Sequence, residues 1–310
     1  MVCAGIDVSK DVLACCMGEE IRSFSNDPLG ISELLRFASG ADLLCMEATG
    51  RYHLALATAA FEAGTRCVVV NPGQAKQYLA FVSMRGKTDA QDARALARLG
   101  EAEGDRLRQF APNPQWVDEL RDIIVRRKGL VESRVSLEQV AQATGDPGGH
   151  LASAIEAIKR SQAALDKEME KRLAHRPGYQ HLKSIPGVGP VSAALALCAL
   201  ARGEFASSDS LVAFAGLDPR PSDSGQKRGR RVLSHKGDAQ LRTAFFMAAR
   251  AGARLPEWKD YYAAQRAKGL SSTEATVVLA RKLLRVAWSV HKQEGPFIHK
   301  ERPTGLDNPT

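Results

Sequence analysis

Hydrophobic residues in the first quarter of the chain occur in short runs that predict β-strands. Runs at residues 2–7, 12–17 and 21–25 are separated by turn-length gaps, which is typical of an antiparallel meander. The period then changes, and helices alternate with further strands at residues 42–47 and 67–70. The resulting order, β-β-β-α-β-α-β-α, predicts three antiparallel strands before a parallel crossover, the topology of a ribonuclease-H-like sheet.

The rest of the chain has helical periodicity. Residues 111–176 carry apolar side chains mostly three, four and seven apart on both sides of a Gly/Pro-rich break, which predicts an antiparallel, coiled-coil-like hairpin for core packing or dimerisation. Beyond it, only residues 184–190 and 218–233 read as loops. The expected fold is therefore α/β plus all-α. It comprises an RNase-H-like mixed sheet domain (1–110), a long helical hairpin linker (111–176) and a mainly helical C-terminal domain (177–310).

Composition is that of a folded protein in water. Of the 310 residues, 44% are hydrophobic and 25% are charged, which excludes wholesale disorder. No apolar stretch reaches the ~20 residues that span a bilayer, and no signal-peptide pattern opens the chain, so we expect a soluble intracellular protein. The six cysteines contain no CxxC pair, which favours buried reduced thiols over a zinc site or disulfides.

Charge is distributed unevenly along the chain. The 43 Lys and Arg residues exceed the 35 Asp and Glu residues, giving a net charge of +8. Residues 1–110 carry 12 basic and 14 acidic side chains, a net of −2, so the remainder carries +10. An acidic front and a basic back favour a polyanion as partner of the second half, although basic halves also serve solubility.

Four acidic residues fall at the ends of elements in the predicted α/β domain. Asp7 ends the first strand, Glu47 ends the fourth, and Asp89 and Asp92 begin the last helix. Neighbouring strand ends converge on one crevice, and helix residues three apart share a face with Cβ atoms about 5–6 Å apart. Four carboxylates in one pocket require cations such as Mg²⁺ or Mn²⁺. Two such ions about 4 Å apart would clamp the attacking and leaving oxygens of a phosphoryl transfer.

Each acid also has an ordinary structural explanation. Thr88 and Gln91 fit a capping box, in which Asp89 and Asp92 merely complement the dipole of the helix N-terminus. Asp7 would equally serve as a turn residue and Glu47 as a solvated strand end, and each acid taken alone fits such a structural role better than a functional one. The occurrence of all four at matching positions of one topology favours the metal-binding interpretation.

The second half concentrates its positive charge in one loop. The segment from Arg220 to Arg242 contains seven Lys and Arg side chains and two acidic ones, Asp223 and Asp238, which gives it a net charge of +5. Arg grips phosphate with two parallel hydrogen bonds, whereas the loop has no aromatic side chain on which a base could stack. The loop therefore predicts contact with a nucleic-acid backbone, and a solvated basic loop is the alternative.

The same loop holds a candidate nucleophile. Ser224 lies directly before a glycine among arginines that would stabilise charge developing on phosphorus. The pattern of the residues does not distinguish Ser224 from Ser222 or Ser234.

Residues 185–190, which read IPGVGP, resemble a helix-hairpin-helix loop. Gly187 and Gly189 would let backbone amides and the next helix N-terminus approach a phosphate. A tight helix–helix connection without DNA contact explains the segment equally well.

Ordered motifs across nearly the whole chain resemble one family. They are GIDVSK, MEATGRY, VVNP, RGKTDAQDA, SIPGVGP, FAGLDPR, SDSGQKRGR and LSHKGDAQLR. Together they resemble the bridge-RNA-guided DEDD/serine recombinases. That family comprises insertion-element transposases and Piv-type DNA invertases, with an N-terminal RuvC-like domain and a C-terminal serine transposase domain.

The resemblance implies roles for individual residues. The family's catalytic, metal-holding acids fall on Asp7, Glu47, Asp89 and Asp92, and its catalytic serine falls on Ser224. The implied enzyme is a transposase, a site-specific DNA recombinase that cuts and rejoins DNA through a 5′-phosphoserine intermediate. Mg²⁺ or Mn²⁺ held by the acids would assist.

The resemblance also implies partners. Target and donor DNA would pair with a noncoding guide RNA, the bridge RNA, and the protein would act as a dimer that becomes a tetramer in the synapse. One subunit's acids would then meet another's serine, in the bacterial cytoplasm and at the nucleoid, with no membrane involved. The residues expected to contact nucleic acid are Arg85, Lys87, Gly187, Gly189, Arg220, Lys227, Arg228, Arg230, Arg231, Lys236 and Arg242.

Two other functions fit the same residues. A metal-dependent, structure-selective nuclease resembling a Holliday-junction resolvase would use water in place of serine. A catalytically silent regulator that binds DNA or RNA would keep the fold without the chemistry, so that Asp7→Asn would leave its biological output unchanged.

Overall fold

The computed structural model describes residues 1–81, 88–203, 205–220 and 232–299. The chain divides into two compact units, Met1–Pro112 and Asn113–Thr310, which are described separately. Within the described ranges, no helix combines the length and the apolar character needed to cross a membrane.

The first unit is built on a mixed five-stranded sheet. Its elements are β1 (Cys3–Val8), β2 (Val12–Met17), β3 (Glu20–Ser25), α1 (Pro28–Phe37), β4 (Leu43–Glu47), α2 (Leu54–Glu62), β5 (Cys67–Val70), α3 (Pro72–Phe81) and α4 (Asp89–Glu103). The strand order is β3-β2-β1-β4-β5. The β1–β2 and β2–β3 pairs are antiparallel, whereas the β1–β4 and β4–β5 pairs are parallel. This confirms the predicted meander followed by a parallel crossover.

The sheet is covered by helices on both faces. On one face, alternate residues of β1 and β4 such as Ile6 and Met46 pack against the apolar sides of α1 and α2. On the other face, Cys3 and Cys45 pack with Leu96 of α4. Because both faces of β4 and β5 are buried, those strands read as almost continuous apolar runs.

The second unit is helical. Its elements are α5 (Gln115–Thr144), α6 (His150–Leu173), α7 (Pro177–Lys183), α8 (Pro190–Ala201), α9 (Ser208–Phe214), β6 (Pro219–Arg220), β7 (Val232–Leu233), α10 (Ala239–Gly252), α11 (Pro256–Ala267) and α12 (Ser272–Gln293). Helix α8 is apolar almost all round and is buried at the centre of the unit.

Helices α5 and α6 form an antiparallel pair. Two ion pairs link them, one between Arg127 and Asp166 at 2.5 Å and one between Arg172 and Glu119 at 2.6 Å. The later residue of α6, Arg172, contacts the earlier residue of α5, Glu119, so the two helices run in opposite directions. A coiled-coil supercoil, and the separation of this pair as a linker of its own, stay predictions.

Two observations concern residues whose environment the sequence left open. The predicted loop at 218–233 begins and ends in short strands, because Pro219 pairs with Leu233 and Arg220 with Val232. This β6–β7 hairpin was not predicted, since two-residue strands leave no periodic pattern.

All six cysteines are buried free thiols, as expected from their spacing.

Candidate functional site

Two of the four predicted acids lie side by side at one edge of the sheet. Ile6 of β1 is paired with Met46 of β4, and Asp7 and Glu47 are the next residues on these parallel strands. Side chains alternate along a strand, so both acids share the face to which Gly5 belongs. Both are half-buried, so their carboxyl groups lie at the rim of the core.

Helix α4 covers that face and brings the other two acids. A Cβ added at Gly5 would lie 2.1 Å from both the Ala93 carbonyl oxygen and the Ala97 amide nitrogen, so α4 contacts β1 backbone to backbone. A Cβ at Gly100 would lie 2.2 Å from the Cys3 sulfur. Helix α4 therefore runs antiparallel to β1, and its first turn lies level with Asp7.

The first turn of α4 holds Asp89 and Asp92. The helix begins at Thr88, whose hydroxyl accepts a hydrogen bond from the Gln91 amide at 3.3 Å. Thr88 therefore caps the helix, and both acids lie in its first turn, where they complement the helix dipole. Because the same turn also reaches the end of β1, the capping role and the metal role do not exclude each other.

The electrostatics of Asp7 show that the four acids share one neighbourhood. Burial, the largest cause, and then the charges of Asp92, Asp89 and Glu47 together raise the pKa of Asp7 to about 6, against a hydrogen bond from the Val8 amide that lowers it. Carboxylates that repel one another in this way bind a proton or a cation more tightly.

The four carboxylates have the chemistry of a divalent-cation site, although they are not close enough to one another to form one. In the described part of the chain, no three His, Cys, Asp or Glu side chains are close enough to hold a metal ion. Oxygen-only ligands at a rim with raised proton affinity suit Mg²⁺ or Mn²⁺. Asp7, Glu47, Asp89 and Asp92 are therefore the residues that would hold such ions.

Two hydrogen bonds between Asp218 and Ser234 close the base of the β6–β7 hairpin, which we call its foot. The Ser234 hydroxyl donates a short hydrogen bond to Asp218 Oδ1, and the Ser234 amide donates to the Asp218 carbonyl oxygen at 2.9 Å. Ser234 is thus engaged in holding the two strands together. Residues 221–231, which lie between the strands, fall outside the described residues.

Several predicted residues consequently have no described surroundings. Ser224 and its alternative Ser222 belong to this group. So do six of the predicted basic contacts. Arg85 and Lys87 lie within residues 82–87, and Lys227, Arg228, Arg230 and Arg231 lie within residues 221–231. Arg220 is described only as the backbone partner of Val232 in β6.

Two predicted basic residues border the foot of the hairpin. Arg242 donates from Nη1 to the carbonyl oxygens of Ala215 at 3.1 Å and His235 at 3.4 Å. The Lys236 amide donates to the Ser234 hydroxyl at 3.4 Å, and the residue is exposed. Arg242 therefore stabilises the backbone on either side of the hairpin, whereas Lys236 is exposed to solvent.

The two glycines of the IPGVGP segment have different surroundings. Gly187 has φ +87°, and a Cβ there would lie 2.9 Å from both the Ala248 carbonyl oxygen and the Gly252 Cα of α10. Gly189 caps α8, and a Cβ there would meet no atom of the described residues within 4 Å. Gly187 is thus required for packing against α10, whereas Gly189 leaves open space before a helix N-terminus.

Sequence reasoning missed Gly5 and Asp218. The signal for the first was the small-residue spacing Ala93, Ala97 and Gly100 on α4, which indicates close approach of a backbone. The signal for Asp218 was its position directly before Pro219, where an acid commonly begins a turn.

Comparison with protein families places two domain types on this chain. The DEDD-type IS110 model, described as a transposase, matches residues 4–144. The model described as the transposase IS116/IS110/IS902 family matches residues 179–263. The matched segments contain the four acids and the β6–β7 hairpin respectively.

Individual relatives agree with these matches. The pilin gene-inverting protein of Moraxella bovis is 28% identical over 319 residues, covering 94% of this chain and 96% of that protein. The transposase for insertion sequence element IS1328 of Yersinia enterocolitica is 33% identical over 154 residues, covering 48% of this chain and 44% of the relative. Among solved structures, T. thermophilus RuvC in complex with Holliday junction substrate is 18% identical with a TM-score of 0.29, covering 36% of this chain and 99% of that chain.

Proposed function

The chain carries in succession the two transposase domains of the IS110/IS116 family, and on that premise we propose that this transposase recombines DNA through Ser224 as nucleophile. Its substrate is the DNA of a mobile element and of the target site. The four acids of the first domain bind the divalent cations that the reaction requires, with Mg²⁺ as the proposed ion.

The proposed reaction is two successive transesterifications. The Ser224 oxygen attacks a backbone phosphorus, a serine–phosphate bond forms, and the bond from phosphorus to the 3′ oxygen breaks. The products are a 5′-phosphoserine and a free 3′ hydroxyl, which takes up the proton that serine gives up. In the second step a 3′ hydroxyl of another strand attacks the phosphoserine and releases serine, so the number of phosphodiester bonds is conserved. Bound cations would stabilise the charge that develops on the phosphate oxygens.

The observation that carries the proposal is the mutual effect of the acids on Asp7. Three carboxylates from β4 and α4 raise the proton affinity of a fourth at the end of β1. Helix caps and solvated strand ends alone do not require Gly5 to pack so closely against Ala93 and Ala97 that the first turn of α4 lies level with Asp7. The basic residues between β6 and β7 are the second support for the proposal, because their positive charge suits contact with a DNA backbone.

The test is capture of covalent protein–DNA adducts. Wild-type protein should form an adduct that resists denaturation, Ser224→Ala should form none, and Ser222→Ala should retain it. Adducts that persist undiminished in Ser224→Ala would overturn the serine assignment.

A second candidate function is metal-dependent hydrolysis by the first domain alone. It is favoured by the compactness of the Met1–Pro112 unit, which contains all four acids. This nuclease would produce hydrolysed ends, would keep full activity in Ser224→Ala, and would lose activity in Asp7→Asn. The adduct experiment therefore separates the two functions.

The proposal extends to a guide RNA and to self-association. The family resemblance supports a noncoding bridge RNA, which predicts that recombination requires the RNA transcribed beside the gene. Val125, Val135 and Val140 of α5 are 52%, 40% and 45% exposed, which supports a helical surface for a second copy. Light scattering with and without DNA would show the proposed dimer and tetramer.

A further inference from the structure

Asn26 lies at the same edge of the sheet as the acids of the first unit. It directly follows β3, which is antiparallel to β2 and therefore ends where β2 begins, beside the ends of β1 and β4. The Asn26 amide donates a hydrogen bond at 3.0 Å to the carbonyl oxygen of Asp11, in the turn between β1 and β2. The backbone of Asn26 is thus fixed at the edge that carries Asp7 and Glu47.

The Asn26 side chain joins two segments that leave the sheet at this edge. Its Nδ2 donates to the Ser9 carbonyl oxygen at 2.9 Å and to the Tyr52 carbonyl oxygen at 3.2 Å. Ser9 lies two residues beyond Asp7, and Tyr52 lies five residues beyond Glu47. One carboxamide therefore connects the segments that follow the two acids.

The pairing between β1 and β4 stops one residue before these acids. Ile6 and Met46 are the last residues in the register of the two strands, so Asp7 and Glu47 lie just beyond it. Asp7 is paired with β2 and Glu47 with β5, on opposite sides. The Asn26 carboxamide connects the two strand ends again beyond the acids.

The connection uses the chemistry of a primary amide. The NH₂ group of asparagine supplies two donors from one atom, and the carbonyl oxygens of Ser9 and Tyr52 are acceptors. An ionised aspartate has the same shape but no donor, so it would repel both carbonyl oxygens. An alanine would leave both without this partner. The role of the amide can therefore be tested with a substitution of the same shape.

We propose that Asn26 is a positioning residue for the acids, which holds the ends of β1 and β4 at the distance that lets Asp7 and Glu47 share a divalent cation. The inference rests on the proposed function, since it takes these two acids as cation ligands. Asn26 contacts neither the cation nor the DNA in this account. It acts through the backbone that follows each ligand, as outer groups that orient metal ligands do.

The test combines Mn²⁺ affinity with thermal stability in the full-length protein without nucleic acid. Free Mn²⁺ is counted by electron paramagnetic resonance during a titration, and the melting temperature of each variant is measured in a chelator. Asn26→Ala removes the amide, Asn26→Asp keeps its shape, and Asp7→Asn identifies the site by removing a proposed ligand. Asp27→Ala is the matched control, because Asp27 caps α1 by accepting a hydrogen bond from the Gly30 amide at 2.9 Å.

The proposal predicts that the two measurements separate the variants. Asn26→Ala and Asp27→Ala should both lower the melting temperature, because the first loses two hydrogen bonds and the second loses a helix cap. Only Asn26→Ala should also weaken Mn²⁺ binding, by about tenfold, the lower end for losing a group that orients a metal ligand. Asn26→Asp should likewise bind Mn²⁺ more weakly than wild type, although an added negative charge by itself attracts a cation.

Three results would overturn this inference alone. Wild-type Mn²⁺ affinity in Asn26→Ala would show that the residue only supports the fold, and an equal loss of affinity in Asp27→Ala would trace the effect to lower stability. Tighter binding by Asn26→Asp would show that charge governs the affinity and the amide hydrogen bonds do not. Wild-type protein that binds no Mn²⁺ would instead overturn the cation role of the acids, and this inference with it, so the two failures are distinguishable.

Discussion

Gly5 in β1 lies directly against Ala93 of α4, since a Cβ on Gly5 would fall 2.1 Å from the Ala93 carbonyl oxygen. This contact sets the distance between the sheet and the helix whose first turn carries Asp89 and Asp92. A residue without any role in chemistry thus sets how closely the acids of α4 approach those of β1 and β4.

Replacing Gly5 should therefore damage both stability and metal binding. Gly5→Ala forces α4 away from β1, and we expect a loss of about 3 kcal/mol in the free energy of unfolding, the upper range for overpacking. Mg²⁺-dependent stabilisation should fall as well, because the acids separate. Gly40→Ala is the control, since a Cβ there would have no neighbour within 4 Å in the part of the chain that the structure describes. Equal melting temperatures for the two variants would contradict the close contact.

The stability of the metal-free protein should depend on pH through Asp7. Its pKa rises from an ordinary 3.8 to about 6 on folding, so the folded state holds a proton that the unfolded state has released. Stability from this group is fully present below pH 3.8 and is lost as the pH rises through 6. Asp7→Asn cannot ionise and should become progressively more stable than wild type across this window.

Thermal denaturation in a chelator from pH 4 to pH 8 measures this effect, and added Mg²⁺ should stabilise the wild type above pH 6 more than it stabilises Asp7→Asn. Asp11→Asn, at an exposed position of the same domain, is the control. Parallel pH curves for the two variants would show that the acids do not act on one another.

The sheet and its acid-bearing ends were predictable because both follow from local signals. Strand alternation, turn spacing and the helix cap at Thr88 are each encoded within a few residues, and the strand order follows from short connections. The contacts that complete the site are not local. The hydrogen bond from Ser234 to Asp218 joins residues 16 apart, and Gly5 meets Ala93 across the first domain. Such pairings depend on how the elements pack, which periodicity does not encode.

Ser234 should prove to be a structural residue and not the nucleophile. Its hydroxyl is committed to Asp218, so Ser234→Ala should cost about 1–2 kcal/mol and slow adduct formation by loosening the foot of the hairpin. The covalent adduct should nevertheless still map to Ser224 by mass spectrometry of digested complexes. Ser161→Ala, at an exposed position on α6, should change neither quantity. An adduct absent in Ser234→Ala although the variant is folded would point to Ser234 itself.

The two glycines of the IPGVGP segment should separate packing from DNA contact. Gly187→Ala places a Cβ 2.9 Å from the α10 backbone at φ +87°, so it should lower the melting temperature whatever the segment binds. Gly189→Ser adds atoms in open space at a helix N-cap, where serine is favourable, so stability should be unchanged or slightly higher. If the α8 N-terminus approaches a phosphate, Gly189→Ser should still weaken DNA-duplex binding several-fold, because the added hydroxymethyl group occupies that space. Wild-type affinity in a stable Gly189→Ser protein would leave the segment as a helix–helix connection only.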